Sequence, residues 1–261
     1  MIGWKRRGDR TVLARLRQAG CLKARFPASC CDTFAEAVTV NVSGGIAAGD
    51  VLATEIDAQE GTRLTLASQA AERLYRSLPA SAPAKVRNRV VVGGDARVEW
   101  LPQETILFNG SALDRVLDVD MAENASGLCL ESLVFGRAAM REQVRRTSVR
   151  DTIRLRRNGR LVFHDAVRLD GDAASLLDQP AIGGGQRAVA TLVYAAPDAE
   201  RRREPLRDAL TAVPAECGAS AWDGILVARL IAEDGARLRA AIVVALSALR
   251  DGRALPRVWM C

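Results

Sequence analysis

Between about residues 34 and 170 the chain is a run of short apolar–polar alternations cut by glycine-containing turns, and this pattern narrows the possible folds most. Val38, Val40 and Val42 alternate with Thr39 and Asn41, the period of two expected of a half-buried strand. Leu64 and Leu66 alternate again, and Val86, Val90 and Val92 flank the polar Asn88 and Arg89. Residues 97–101, 115–120, 128–134, 152–156 and 160–169 are further strand candidates. Ser43-Gly44-Gly45, Glu60-Gly61, Gly93-Gly94-Asp95, Asn109-Gly110 and Asn158-Gly159 separate them as turns. Asn158-Gly159 is the sharpest, because both residues tolerate the positive φ of a tight hairpin. Short strands punctuated this way predict an all-β architecture rather than a parallel α/β sheet.

The last third has a different texture. Gly183-Gly184-Gly185 reads as a flexible joint, followed by a strand over 188–194. Leu206, Leu210 and Val213 predict a short helix with Pro205 in its first turn. A strand over 224–232 leads to a helix over 235–250, capped by Asp234, with Leu238, Ile242, Leu246 and Leu249 as its apolar stripe. The expected organisation is one domain over 1–261, with a β core at about 34–170 and a mixed α/β portion at about 186–255.

Composition narrows function. Hydrophobic residues make up 49% and charged residues 26% of 261, so the chain can bury a core without disulfides or metal. The net charge of +6 comes from 37 basic and 31 acidic residues, and all but three of the basic ones are arginine. The basic residues read as scattered, and 4% aromatics supply no base-stacking platform, so a nucleic-acid-binding module is the lesser reading. Cys21, Cys30, Cys31, Cys129, Cys217 and Cys261 form no C-x-x-C pair, which predicts reduced thiols rather than a zinc site or a disulfide framework. The most apolar run, 240–249, is about half the ~20 residues of a spanning helix, so no membrane association is expected. Lys5, Arg6, Arg7 and Arg10 have no apolar stretch behind them, so a signal peptide is not expected and the cytoplasm is.

Catalytic constellations are missing from the sequence. His164 is the single histidine, which leaves most imidazole metal sites and Ser-His-Asp systems without their parts. Ser43 lies in Asn41-Val42-Ser43-Gly44-Gly45, which lacks the G-x-S-x-G elbow. No G-x-x-x-x-G-K-[ST] or G-x-G-x-x-G run occurs. A stand-alone β-rich enzyme would need a pocket holding a perturbed acid or base, and nothing in the sequence points to one.

Three blocks resemble the urease accessory protein D family (called H in some organisms). The first is Asn41-Val42-Ser43-Gly44-Gly45-Ile46-Ala47-Ala48-Gly49-Asp50, and the second runs from Leu64 to Ser77 with Gln69-Ala70 and Tyr75-Arg76-Ser77. The third and most specific is Glu99-Trp100-Leu101-Pro102-Gln103-Glu104-Thr105-Ile106-Leu107-Phe108-Asn109-Gly110. Gly136-Arg137 followed by Glu142, and Leu255-Pro256-Arg257-Val258-Trp259, are weaker matches. Arg141 departs from the family's usual glycine, and Glu72-Arg73 from its usual small or hydroxyl residue plus lysine.

The resemblance implies a β-rich fold of helical-coil type with two helices attached, and no chemistry of the chain's own. It also implies a complex with urease accessory protein F and the accessory GTPase G that docks on apo-urease and supports nickel insertion. GTP would belong to the G partner alone, and no cofactor would be bound tightly here. Nickel would pass transiently through an internal watery channel. A protein that hands nickel on should avoid imidazole and thiolate, which hold the ion firmly, and offer carboxylates and water. By alignment with the family, Asp50, Glu131, Glu142 and Asp165 are the candidate path residues. Tyr75, Arg76, Gln103 and Glu104 lie in the most recognisable blocks, as partner contacts or coil braces. Arg257 and Trp259, with Met260, are the expected partner-facing tail, so truncation after Leu255 should spare the fold. Cys30 and Cys31 are not expected to carry the metal.

Overall fold

The computed structural model describes residues 1–27, 33–78 and 81–260. An N-terminal hairpin of β1 (Ile2–Arg7) and β2 (Arg10–Leu16) precedes β3 (Leu22–Arg25) and β4 (Ala35–Asn41). Next come β5 (Val51–Ala58), β6 (Arg63–Ser68), β7 (Glu72–Leu74), β8 (Ala84–Val92), β9 (Arg97–Leu101) and β10 (Thr105–Leu107). The long strands β11 (Ala112–Met121), β12 (Ser126–Phe135), β13 (Thr147–Arg157) and β14 (Arg160–Gly171) follow. The chain ends with α1 (Ala173–Leu177), β15 (Ala188–Ala195), α2 (Ala199–Leu210), β16 (Glu216–Trp222), β17 (Ile225–Ala232) and α3 (Gly235–Leu249).

From β4 to β13 the chain passes back and forth between two sheets, and each return lies parallel to the pass before it. One sheet runs β14-β13-β11-β8-β5-β1-β2 and the other β16-β17-β15-β12-β9-β6-β4-β3. A short third face is made by Ile46, β7, β10 and the end of β12. The result is mainly β and coiled as expected, with parallel ladders inside the coil and antiparallel hairpins at its ends.

Parallel, in-register passes place equivalent residues on top of one another about 4.8 Å apart, so like side chains stack inside. Ile56, Val90, Val119 and Leu155 form one such row. Leu66, Trp100 and Cys129 form another, and Ile46, Leu74, Leu107 and Phe135 a third. All of these side chains are buried. The second sheet is covered again on its outer face, where α2 and α3 set Leu206, Leu210, Leu238, Ile242, Leu246 and Leu249 against Leu128, Leu130, Leu192, Leu226 and Leu230. Burial on both faces explains why β12 carries apolar residues at successive positions, Leu128 to Leu130 and Leu133 to Phe135, on either side of Glu131 and Ser132.

Several expectations need correction. The sheet begins at Ile2 rather than near residue 34, with Ile2 and Trp4 inside the core. Val42 lies past the end of β4 and is 61% exposed. Helix α2 starts at Ala199, so Pro205 sits mid-helix; the amide it lacks would have met the Arg201 carbonyl, and both residues are exposed. The charged stretch over 200–203 hid this start. Strand β16 and helix α1 were not foreseen. Gly183 to Gly185 form a closed turn, donating to the Gln179 carbonyl at 3.0 and 3.0 Å and to the Leu177 carbonyl at 2.8 Å. Arg141, where the resembling family carries glycine, has φ 53°, a conformation glycine enters freely and arginine does not. Among the described residues no helix is long and apolar enough to cross a membrane.

The two glycines of the first block make a direct comparison. At Gly44 (φ +81°) an added Cβ meets nothing, whereas at Gly45 (φ +156°) it strikes the Tyr75 ring and lies 2.8 Å from the Arg73 carbonyl. Gly44→Ala should therefore cost about 1–2 kcal/mol of backbone strain, and Gly45→Ala more, since backbone must move. Urea melts of the two variants side by side check the order; equal losses would contradict this packing.

Candidate functional site

The family-like blocks converge on one corner of the coil. Asn41 Nδ2 donates to the Gly45 carbonyl at 3.1 Å and to both Glu72 carboxylate oxygens at 3.2 and 3.1 Å. Tyr75 Oη donates to the Gly44 carbonyl at 2.7 Å, and its ring meets Phe108 edge-on, centroids 5.3 Å apart. Arg137 lies 4.1 Å over the other side of Phe108 and donates to Glu142 at 2.8 Å. Glu142 also accepts the Asn109 amide at 3.1 Å, and the Asn109 side chain accepts the Arg145 and Arg146 amides at 3.0 and 3.0 Å. Partial burial alone would raise the Glu142 carboxyl, but the Arg137 and Asn109 hydrogen bonds and the Arg137 charge outweigh it and hold it below its ordinary range.

The third block explains itself by alternation. On β9 Glu99 and Leu101 face the helix layer and Trp100 the coil interior; past the end of β9 Gln103 still meets the helix layer, and Thr105, on β10, turns to the interior. Glu99 accepts Thr65 Oγ1 at 2.6 Å and Arg250 Nε at 3.0 Å, and is also paired with Arg253. The Leu101 carbonyl accepts Trp259 Nε1 at 3.1 Å. Gln103 Nε2 donates to the Val258 carbonyl at 2.6 Å, and its Oε1 accepts from Arg239. Inside, Trp100 Nε1 donates to Glu131 Oε1 at 3.0 Å.

Behind Trp100 lies a charge cluster between the two sheets. Arg115, on β11, donates through Nε and Nη2 to Asp151 of β13 at 2.8 and 2.6 Å. Its Nη1 donates to Thr105 Oγ1 at 2.9 Å and lies 2.8 Å from Glu131 Oε2 of β12. That last contact is an ion pair off the direction of a hydrogen bond, so Oε2 has no donor of its own. Glu131 is 3% exposed. Burial raises its carboxyl first and Asp151 adds to this; the Arg115 charge and the Trp100 bond pull it back, leaving it above the usual carboxylate range. Burial and the same carboxylate push the Cys129 thiol up to about 12.

Three cavities meet at these residues. One of about 270 Å³ opens past Asn41, Glu72 and Gln103 and reaches Arg115 and Glu131. A neck of about 10 Å³ is lined half by Glu131, Asp151, Asp165 and Thr191 and half by the apolar Leu133, Ile153, Val167 and Val189, room for roughly one water. Beyond it a groove of about 1080 Å³ between β14 and β16 is lined by His164, Asp165, Cys217 and Trp222. Glu131 thus lines the first and second cavities, and Asp165 the second and third.

Of the four carboxylates expected together, two are. Asp165, paired with Arg229, stands with Glu131 at the neck. Asp50 caps its own turn, accepting the Ala47 amide at 2.9 Å, and Glu142 braces the corner; neither lines these cavities. Arg76 is exposed beside Gly110, and Glu104 lies 3.8 Å from Arg239. Trp259 is 3% exposed in the chain's own core, while Arg257 and Met260 face solvent. Truncation after Leu255 would therefore strip buried bonds to Leu101, Gln103 and Arg239 instead of sparing the fold. Cys30 and Cys31 lie outside the described residues.

Sequence reasoning missed Arg115 and Asp151. Both occupy apolar slots of a period-two series, Leu113-Arg115-Leu117-Val119 and Val149-Asp151-Ile153-Leu155. A charge in such a slot is the legible signal, since it must find a partner inside. Among the described residues no three His, Cys, Asp or Glu side chains group closely enough to hold a metal ion.

The chain is thus a mainly β coil backed by helices, with a charged cluster in its interior. A family model described as UreD urease accessory protein matches residues 1–260. The urease accessory protein UreD of Xanthobacter autotrophicus is 46% identical over 252 residues, covering 97% of this chain and 86% of that one. Proteins of the same name from Rhodopseudomonas palustris (strain BisB18) and Rhizobium leguminosarum bv. trifolii are 44% and 45% identical, covering 99% and 96% of this chain and 89% and 90% of theirs. The chain belongs to the UreD urease accessory protein family.

The raised Glu131 carboxyl carries a pH signature. A buried acid whose folded pKa exceeds its unfolded value of 4.5 binds more protons folded, so stability falls as pH rises through that interval. Glu131→Gln removes the titration and leaves Arg115 bonded to Asp151. The melting temperature of the variant minus that of the parent should increase from about pH 5 to about pH 8; a flat or falling difference would contradict the assignment.

Proposed function

We propose that this chain is a urease maturation factor that, with accessory proteins F and G, docks on apo-urease in the cytoplasm and supports GTP-dependent nickel insertion. Family membership supports the maturation role. The observation that supports the finer reading is the succession of three cavities, the first two sharing Glu131 and the last two sharing Asp165 in their linings. Nickel is cargo in this reading, and the chain offers carboxylates spaced along a path. Carboxylate and water hold the ion loosely enough to release it.

The neck sets the physical demand. At about 10 Å³ it cannot admit an ion with its water shell intact, so passage requires the Arg115–Glu131–Asp151 cluster to shift or the ion to exchange waters for carboxylate oxygens. Glu131 Oε2, free of hydrogen-bond donors, is the oxygen placed for that exchange. Carboxylates offset the cost of drawing a dication away from bulk water. GTP stays with the G partner, because no phosphate-cradling loop occurs here.

The test measures melting temperature, recovery of the complex with F and G, and nickel content of the resulting urease. Glu131→Gln and Asp165→Asn should lower nickel content several-fold with the complex still recovered. Asp50→Ala and Glu142→Ala should alter stability at most, by about 1 kcal/mol as expected for a lost cap or brace. Full nickel loading by both neck variants would overturn the passage. Replacing Cys30 and Cys31 with serine should leave loading near that of the parent, because thiolate would hold nickel too firmly to pass it on.

A further inference from the structure

The charge of this protein is not scattered. Residues 1–25 hold eight of its 37 basic residues and one of its 31 acidic ones, a net +7 in a tenth of the chain. The remainder, 29 basic against 30 acidic, sums to −1. Folding gathers the basic set on β1, β2, β3 and their loops, where Lys5, Arg6, Arg7, Arg10, Arg15, Arg17 and Arg25 are exposed. Arginines elsewhere are extensively paired with carboxylates, but no ion pair among the described residues involves any of these.

The same segment is an open edge. Among the described residues strand β2 ends its sheet and pairs only with β1, so its outward amides and carbonyls face no further described strand. Leu13 and Leu16 are each 40% exposed along it. On the inner side of the hairpin, between the end of β2 and β5, a groove of about 420 Å³ is lined by Arg15, Arg17 and Lys23 together with Val51 and Glu55. Unpaired backbone and one-signed charge suit the addition of a strand of opposite charge, and Leu13 and Leu16, brought to one face by the bulge at Ala14, offer it apolar contacts. Nucleic acid fits less well, because Trp4 is buried and leaves Phe26 as the exposed ring of this segment.

We propose that the N-terminal hairpin docks an acidic, extended segment of a partner protein, which adds as a strand alongside β2. Main-chain bonds to the β2 edge supply affinity, the arginines set orientation and on-rate, and Leu13 and Leu16 choose side chains of the incoming strand. The groove shares Leu22, Thr39, Leu52 and Thr54 with the first cavity, but no residue of β2 lines the cavities above, so docking at the β2 edge stands whether or not nickel passes through them.

The probe is a labelled peptide of about 12 residues alternating glutamate and valine, offered to the full-length protein beside a lysine–valine peptide, oligo(dT) and phosphatidylglycerol vesicles. The acidic peptide alone should bind, weaken at least about tenfold between roughly 50 and 300 mM salt, and slow hydrogen exchange at β2 amides. Arg10→Glu, Arg15→Glu and Arg17→Glu together should abolish binding with an unchanged fold by circular dichroism. If reversed charges disturb the hairpin, the serine triple variant should reduce binding at least about fivefold, since like charges are absent. Tighter binding of oligo(dT) or vesicles would overturn the assignment in favour of a nucleic-acid or membrane face. Peptide binding without β2 protection, or no binding at all, would reduce the arginines to guards against edge pairing.

Discussion

The fold is organised around one guanidinium. Arg115 sits 5% exposed between two sheets, and a charge there is tolerable only because three groups on different strands converge on it. Asp151 takes two of its donors from the neighbouring strand, Thr105 takes one from the short third face, and Glu131 approaches from the opposite sheet. Removing one partner of such a cluster leaves an uncompensated charge, at a cost of about 3–5 kcal/mol. A one-residue slip of β11, β12 or β13 would turn one of these side chains to the other face and incur the same cost. The cluster therefore fixes the register of three successive coil passes, which aliphatic rows alone would specify less sharply.

A second polar anchor, outside the coil, ties the helix layer to the same region. Glu99 is a neighbour of Trp100 on β9, so the strand that orients Glu131 inward also holds Arg250 and Arg253 outward. Two residues further on, Leu101 and Gln103 fasten the tail through Trp259 and Val258. Disturbance of the tail thus reaches the interior cluster through a single strand. The most specific of the family-like blocks corresponds to this hub: its residue types are those needed to work both faces of one strand.

Most of the β architecture was legible because period-two alternation and glycine turns are local signals. Asn158-Gly159 gives the β13–β14 hairpin directly, with φ values of 50° and 76°. The N-terminal hairpin was not legible, since its arginines and lysine mask the buried Ile2 and Trp4. The start of α2 was hidden by its charged first turns and by a proline that exposure makes tolerable. At the site, alignment found Glu131 and Asp165 but could not separate them from Asp50 and Glu142, because all four are single acidic residues in a strand-and-turn sequence. Their separation is decided by which strand face and which turn each occupies, a property of the assembled coil. Arg115 and Asp151 were visible as charges in apolar slots, and their pairing awaited the parallel register that sets β11 beside β13.

In the proposed reading, the same cluster would serve both stability and passage of the ion. The small cavity of about 10 Å³ is lined by Glu131 and Asp151, the carboxylates that neutralise Arg115. A dication arriving there competes with Arg115 for the same oxygens, so the groups that attract it are already engaged by a cation of the protein. Their affinity for the ion is lowered by that competition, while burial raises the Glu131 carboxyl and lowers it further by favouring the proton. Both effects work against trapping, which suits a conduit and would defeat a storage site. Asp165 is engaged in the same way by Arg229 at the other end of the neck. Arginine serves this role better than lysine, because its planar fork can keep two bonds to Asp151 while yielding the third contact to Glu131. The asymmetry of the cluster, two good bonds on one carboxylate and one poor contact on the other, makes Glu131 the less tightly held partner of Arg115.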